Sequence, residues 1–250
     1  MRSLIALAAS LALALGLTAE AHAGPADDVL TAVDRALNNF KDQRITFEVA
    51  NMKPGTSAPQ AMKFMTLVKG GKGFTEFLAP GDLKGTRVLS TSATQMWIWL
   101  PEFGKIRKVA THTLAQGFMG TTLSQQDMGT LSYAADYVPT IAAEDPASWT
   151  LDLKAKDATS VGFAHLRMTV DKKMKVPTRI EYLGEDGKPT RTQTRSAYTC
   201  PKADYCMFGE LKMVDHTRAG AWTTLKPVEV KVDTGVSDDV FTPKILQLGL

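Results

Sequence analysis

The sequence predicts a mainly β protein with helices, built as a strongly curved antiparallel sheet with the helices on one side. Two observations support this fold class. One amphipathic helical pattern opens the chain after residue 24, and about ten segments with a period of two follow it. A curved sheet that does not close tightly leaves an apolar concavity. Neither an internal repeat nor a linker is visible, so we expect one domain over residues 24–250.

The predicted helix covers Asp27–Phe40. Pro25 suits a first helical turn, and Asp27 and Asp28 complement the positive end of the helix dipole. The apolar residues that recur at helical spacing are Val29, Leu30, Val33, Leu37 and Phe40. We expect this apolar face to pack against the sheet.

The predicted strands follow the helix in order. They lie near residues 45–49, 62–68, 74–78, 96–100, 104–109, 149–153, 165–170, 179–183, 190–198, 207–217 and 222–232. Asp186 and Gly187 form a strong hairpin signal between two of these strands. Alternation is lost over residues 113–146, where glycines and prolines indicate short helices and loops. The tail from Asp238 to Thr242 is typical of the start of a closing segment.

The Met96–Leu100 segment carries apolar side chains on both faces. Trp97 and Trp99 share one face, while Met96, Ile98 and Leu100 share the other. This pattern predicts a central strand covered on both sides, either as plain core or with a ligand-lining face. The eleven methionines of the chain likewise suit either core filling or an adaptable ligand surface.

The first 23 residues have the pattern of a secretory signal. A basic start at Arg2 precedes an apolar run over residues 4–17, and Ala21-His22-Ala23 forms an A-x-A cleavage site. The run is shorter than the roughly 20 residues needed to span a bilayer. We therefore predict export with cleavage after Ala23; the alternative is an uncleaved N-terminal anchor.

Charge and cysteine content exclude several functional classes. A net charge of +3 without clusters of basic and aromatic residues does not favour nucleic-acid binding. In an oxidising compartment, Cys200 and Cys206 are expected to form a disulfide, since the histidines lie in no metal-ligand spacing. We expect no metal and no cofactor. Catalytic motifs are absent, and only His112 and Asp127 suggest a candidate acid–base pair, so we predict no enzymatic activity.

Four ordered motifs then resemble a known family. They are Pro80–Leu89, Met96–Pro101, Gly104–Lys108 and Gly117–Gly120. In this order they resemble the outer-membrane lipoprotein-sorting protein family, relatives of the periplasmic carrier LolA, over most of the chain after residue 24. Members of the family follow the last motif with a Ser-Asp and later a Glu-Asp. Here the segment Thr121–Asp127 retains only Asp127 as an acidic residue.

The resemblance implies a half-open antiparallel β-barrel with a helical lid. It also implies a periplasmic carrier that holds acyl chains of lipid or lipoprotein in an apolar cavity and moves them towards the outer membrane. Candidate partners are an inner-membrane transporter and an outer-membrane acceptor. The expected cavity residues are Phe47, Phe64, Phe74, Met96, Ile98, Leu100, Phe118 and Met119. Lys105 and Arg107 are expected either at a headgroup rim or on a solvated surface. The alternative function is a non-enzymatic accessory module of an inner-membrane export pump or envelope complex, which needs no cavity.

Overall fold

The computed structural model describes residues 24–92, 95–110, 117–124, 127 and 132–250. The predicted export signal and His112 lie outside these described residues. Within the described part of the chain, no helix combines the length and the apolar character that a membrane span requires.

The described elements are mostly strands. The helical elements are α1 (Pro25–Asn38), α2 (Tyr133–Asp136), α3 (Pro243–Leu248) and the 3₁₀ turns η1 (Phe118–Gly120) and η2 (Asp238–Phe241). The strands are β1 (Asp42–Met52), β2 (Gln60–Lys69), β3 (Lys72–Ala79), β4 (Arg87–Ser92), β5 (Gln95–Leu100), β6 (Lys105–Lys108), β7 (Tyr137–Glu144), β8 (Ser148–Ala155), β9 (His165–Asp171), β10 (Pro177–Leu183), β11 (Pro189–Ser196), β12 (Thr199–Lys202), β13 (Tyr205–Met207), β14 (Glu210–Asp215) and β15 (Ala221–Val232).

Thirteen of these strands form one antiparallel sheet. Its order is β6-β5-β4-β3-β2-β1-β15-β14-β11-β10-β9-β8-β7, and β12 and β13 form a separate hairpin. The mainly β class and the large curved sheet are therefore confirmed. The term half-open barrel fits only roughly, because the edge strands β6 and β7 do not pair and the sheet stays open.

The element boundaries depart from the predicted ones in understandable places. Helix α1 ends at Asn38, before Phe40, whose ring instead packs edge-on against that of Tyr205 at 5.4 Å between centroids. The hairpin across Asp186-Gly187 is confirmed, with Arg179 opposite Thr194. Strands β4 and β7 were not predicted from alternation. Strand β7 lies in the stretch interpreted as loops because most of its residues are exposed and it contains Pro139.

Two apolar clusters cover the two faces of the sheet. The larger cluster, here called the main core, joins Val29, Leu30 and Val33 of α1 to one face of most strands. A smaller one, here called the tail cluster, lies on the opposite face beneath η2 and α3. Its buried members are Met65, Leu67, Phe74, Leu89, Phe241 and Leu246. The C-terminal tail therefore supplies the second layer over this part of the sheet.

Strand β5 contributes to both clusters. Met96 and Ile98 pack with the main core, whereas Trp97 and Trp99 pack with the tail cluster. The prediction of cover on both faces is confirmed. The prediction of a central position is wrong, because β5 lies next to the edge strand β6 and the C-terminal helix supplies the second cover.

Buried polar groups hold the tail on the sheet. Asp42 of β1 accepts hydrogen bonds from the backbone N–H and hydroxyl of Thr234, both at 2.9 Å, and from Gly235 N–H at 3.0 Å. Burial disfavours the ionised carboxylate, but these hydrogen bonds outweigh it and lower the pKa of Asp42. The sequence did carry a signal for α3, since Thr242 caps the helix and Pro243 occupies its first turn.

The disulfide Cys200–Cys206 is present and closes the β12–β13 hairpin. Beside it the Tyr205 hydroxyl donates to Gln43 Oε1 of β1 at 2.8 Å, which ties the hairpin to the sheet. Replacing both cysteines by alanine is expected to lower the free energy of unfolding by about 2 kcal/mol, because a short loop loses little closure entropy. Urea denaturation of the oxidised protein and of the double variant measures this difference. An unchanged midpoint would contradict it.

Candidate functional site

A cavity of about 170 Å³ lies between the sheet and the C-terminal end of α1. Its apolar wall is formed by Leu37, Ile45, Phe47, Val68, Leu123, Met207, Phe208, Leu211 and Leu225. Its polar wall is formed by Asn38, Gln43, Thr66, Asp127, Tyr133, Gln193 and Arg195, and Cys206 of the disulfide also borders it. The cavity is therefore amphipathic, lined by both apolar side chains and hydrogen-bonding groups.

Arg195 provides the cationic group of the polar wall. Its Nε donates to Gln193 Oε1 at 2.7 Å, and its Nη2 donates to the Tyr133 hydroxyl at 3.1 Å. Burial raises the pKa of Tyr133, so the phenol keeps its proton at neutral pH. Neutral acceptors thus hold the guanidinium in position.

Asp127 is held by a dense set of donors. Its Oδ2 accepts from Ser124 N–H at 2.7 Å, from the Ser124 hydroxyl at 2.8 Å and from Arg191 Nη1 at 2.9 Å. Its Oδ1 accepts from the Tyr182 hydroxyl at 2.9 Å, and burial raises the pKa of Tyr182 well above its usual value. Both ionic side chains are only 8% exposed. The carboxylate that the sequence suggested as half of an acid–base pair is therefore occupied by structural hydrogen bonds.

The guanidinium of Arg191 is enclosed by aromatic rings. Its central carbon lies 4.2 Å from the ring centroid of Phe163 and 4.5 Å from that of Tyr182. Among the described residues, its Nε and Nη2 have no hydrogen-bond partner. The rings offset part of the cost of burying these donors through cation–π contact.

The segment 117–124 is fixed to the sheet by buried polar contacts. The Thr122 backbone N–H donates to the Thr223 hydroxyl at 2.9 Å, which in turn donates to Asn51 Oδ1 at 2.8 Å. A Cβ at Gly117 would meet the Thr121 carbonyl oxygen at 2.5 Å, so this turn requires glycine. These contacts hold the segment in place.

The carboxylate of Asp34 on α1 forms hydrogen bonds that connect α1 to α2. Asp34 accepts from the Ser132 hydroxyl at 2.6 Å and from the backbone N–H groups of Tyr133 and Ala134, both at 2.8 Å. It acts as an additional N-terminal cap for α2. We call α1, α2 and the segment 117–124 together the cover, because they lie over the main core and border the cavity.

Of the predicted cavity residues, Phe47 lines this cavity. Phe64 and Phe118 are buried in the main core beside it, in a row of rings that runs from Phe47 through Phe64 and Phe77 to Phe118, with centroids 5.3, 5.5 and 5.8 Å apart. Met96 is buried in the same core, and Ile98 and Met119 are partly buried against it. These residues are continuous with the cavity but do not border it.

The other predicted site residues lie elsewhere. Phe74 packs in the tail cluster on the opposite face, because it stands across from Leu67 and side chains alternate along a strand. Leu100 is half-buried at the end of β5. Lys105 and Arg107 are exposed on the edge strand β6, and Arg107 lies over the Phe103 ring at 4.9 Å. We therefore leave these four residues out of the site proposed below.

Sequence reasoning did not find the polar residues of β11, of which Gln193 and Arg195 belong to the polar wall and Arg191 pairs with Asp127. Arg191, Gln193 and Arg195 are two positions apart and belong to a strand without apolar alternation. The available signal was that two arginines and a glutamine share one face of a strand. Such a polar face either lies in solvent or forms hydrogen bonds and ion pairs inside the protein. The structure shows that they are wholly or partly buried.

The architecture places the chain among proteins with a LolA-like fold. A domain designated as an outer membrane lipoprotein-sorting protein domain, from Vibrio parahaemolyticus, superposes with a TM-score of 0.79 at 20% identity, covering 89% of this chain and 98% of its own. A LolA superfamily protein from Nitrosomonas europaea gives 0.75 at 17% identity, covering 89% and 99%. A DUF1329 family protein from Desulfovibrio piger gives 0.78 at 17% identity, covering 88% and 97%.

The match of this sequence to a family model identifies the family of the chain. A family model described as "Uncharacterized protein" matches residues 69–247, and the chain belongs to that family. No curated protein matches the chain. The likeness to lipoprotein-sorting proteins inferred from the four motifs is confirmed at the level of the fold.

Proposed function

We propose that this protein is a periplasmic carrier that binds acyl chains of lipid or lipoprotein in the cavity beneath the cover and moves them towards the outer membrane. The observation that carries the proposal is the amphipathic cavity between α1 and the sheet, whose apolar wall includes Ile45, Phe47 and Leu225. Each CH₂ group withdrawn from water contributes about 0.8 kcal/mol, so a wall of this kind favours an acyl chain.

The volume of the cavity indicates how such a ligand would enter. The cavity measures about 170 Å³. This is below the roughly 300–1,000 Å³ of pockets that enclose small molecules. A complete acyl chain therefore requires the cover to move away from the sheet. The row of rings from Phe47 to Phe118 would then extend the apolar surface.

The remaining features agree with a carrier rather than an enzyme. The predicted signal would deliver the chain to the periplasm, where the Cys200–Cys206 disulfide is stable. Asp127, the carboxylate nearest the cavity, is engaged by Arg191, Ser124 and Tyr182 and is not positioned as a free base. An inner-membrane transporter and an outer-membrane acceptor remain candidate partners.

A tryptophan placed in the cavity tests the proposal. Leu37 is a half-buried residue of α1 that lines the cavity, and Leu37→Trp is expected to fill much of the space. The probe is parinaric acid, a fluorescent fatty acid whose fluorophore is its own chain. Its binding is expected to weaken about tenfold or more, because the indole would exclude several of its CH₂ groups from the cavity. Fluorescence titration measures the dissociation constant.

Leu83→Trp is the matched control. Leu83 is also half-buried against the main core but does not line the cavity, so parinaric acid binding is expected to stay within about twofold of the original. Equal binding by the original protein, Leu37→Trp and Leu83→Trp would mean that the ligand binds outside this cavity. A parent protein that binds no such probe, and carries no lipid detectable by mass spectrometry after purification, would favour the accessory-module alternative.

A further inference from the structure

We propose that the ligand of this cavity is a fatty acid whose carboxylate is bound by Arg195, with its acyl chain along the apolar wall. This inference rests on the proposed function and narrows it to a ligand class. It places the anionic headgroup inside the cavity on β11, away from Lys105 and Arg107 on the exposed edge strand.

The first support is the missing counter-charge of Arg195. Its hydrogen-bond acceptors include Gln193 Oε1 and the Tyr133 hydroxyl, which are both uncharged. Among the described residues, no carboxylate oxygen lies within ion-pair distance of it, whereas Arg191 on the same strand has Asp127 at 2.9 Å. A partly buried cation that lacks an anion is stabilised when a ligand provides one.

The second support is the net charge of the lining. Asp127 also borders the cavity, and an uncompensated carboxylate would repel an anionic ligand. Its oxygens instead accept from Arg191, Tyr182 and both donors of Ser124. The Asp127–Arg191 pair is therefore neutral, and Arg195 leaves a positive polar wall.

The third support is the arrangement of donors. The guanidinium of Arg195 has N–H groups besides the two that Gln193 and Tyr133 accept, and a planar guanidinium binds carboxylates through such groups. The Tyr133 hydroxyl accepts from Arg195 and retains its own proton to donate. Phe47 and Leu225 also line the cavity and offer no polar group, which suits the chain that follows a carboxylate. A neutral ester can accept hydrogen bonds here but cannot supply the negative charge.

The experiment compares parinaric acid with its methyl ester at neutral pH, in the parent protein, Arg195→Gln, Arg195→Lys and Arg167→Gln. The ester has the same chain without the charge. Arg167 serves as the matched control because it pairs with Asp152 in an exposed position outside the cavity. The parent is expected to bind the acid about tenfold or more tightly than the ester, as charge-assisted hydrogen bonds predict.

Arg195→Gln is expected to lower the preference to within about twofold while keeping the affinity for the ester, and Arg195→Lys to retain part of the preference. Arg167→Gln should behave as the parent. Loss of acid and ester binding together in Arg195→Gln, or an unchanged preference for the acid, would overturn the inference. Binding of the ester without any preference by the parent protein would overturn it too, yet leave the proposed carrier function standing. Failure of the parent to bind either compound would overturn both.

Discussion

Replacing Asp127 by alanine is expected to lower the free energy of unfolding by about 3–5 kcal/mol. The change removes the only described carboxylate paired with Arg191, whose side chain is 8% exposed. It also leaves the Tyr182 hydroxyl and the Ser124 backbone N–H without their acceptor. Urea denaturation followed by tryptophan fluorescence measures the difference between the two proteins.

The size of this effect comes from the uncompensated cation rather than from a strong ion pair. Arg191 already has two buried donors without partners among the described residues. The intact ion pair thus lacks part of its possible hydrogen bonds. The attraction between Asp127 and Arg191 therefore offsets little more than the free-energy cost of removing the two charges from water. The double variant Asp127→Asn with Arg191→Met is accordingly expected to recover most of the lost stability.

An exposed ion pair provides the comparison. Asp152 and Arg167 form a salt bridge at 2.7 Å with side chains 41% and 46% exposed. Asp152→Ala is expected to cost less than about 1 kcal/mol. If Asp127→Ala were equally mild, the Asp127–Arg191 pair would not anchor the segment 117–124. If the double variant were as unstable as Asp127→Ala, the unpaired arginine would not be the cause.

The sequence was sufficient to predict the class of the fold because its signals are local. Helix α1 has apolar residues at helical spacing, and the Asp186-Gly187 turn fixes the register of β10 and β11. Four ordered motifs pointed to the lipoprotein-sorting fold, which the solved structures share. Such features depend on residues close together in the chain and need no knowledge of long-range packing.

The site could be predicted only in part, because its geometry depends on which residues meet across the sheet. Alternation along β3 leaves open which face of the strand α1 will cover. Phe74 was therefore interpreted as a cavity residue although it belongs with Phe241 and Leu246 of the tail. Arg195 gave the opposite difficulty, since a charged residue on a strand usually lies in solvent. Its partial burial follows from the cover, which reaches it through Tyr133.

The two faces of the sheet should therefore respond differently to the loss of an aromatic ring. Phe74 is fully buried in the tail cluster, and Phe74→Ala is expected to lower the free energy of unfolding by about 3–5 kcal/mol. The same variant is expected to bind parinaric acid with unchanged affinity, because the sheet separates the tail cluster from the cavity. Denaturation and titration, both performed well below the unfolding midpoint temperature, measure the two quantities.

Phe47→Ala is the matched variant on the other face. Phe47 is buried, lines the cavity and packs against Phe64 and Phe208, so its loss is expected to cost comparable stability and to weaken parinaric acid binding about tenfold. Should Phe74→Ala be too unstable to titrate, Phe74→Leu retains most of the volume at a smaller cost and tests the same separation. Weakened binding in folded Phe74→Leu, to the same extent as in Phe47→Ala, would mean that the tail cluster belongs to the ligand site. Because α3 covers that cluster, the C-terminal tail rather than α1 would then have to move for the ligand to enter.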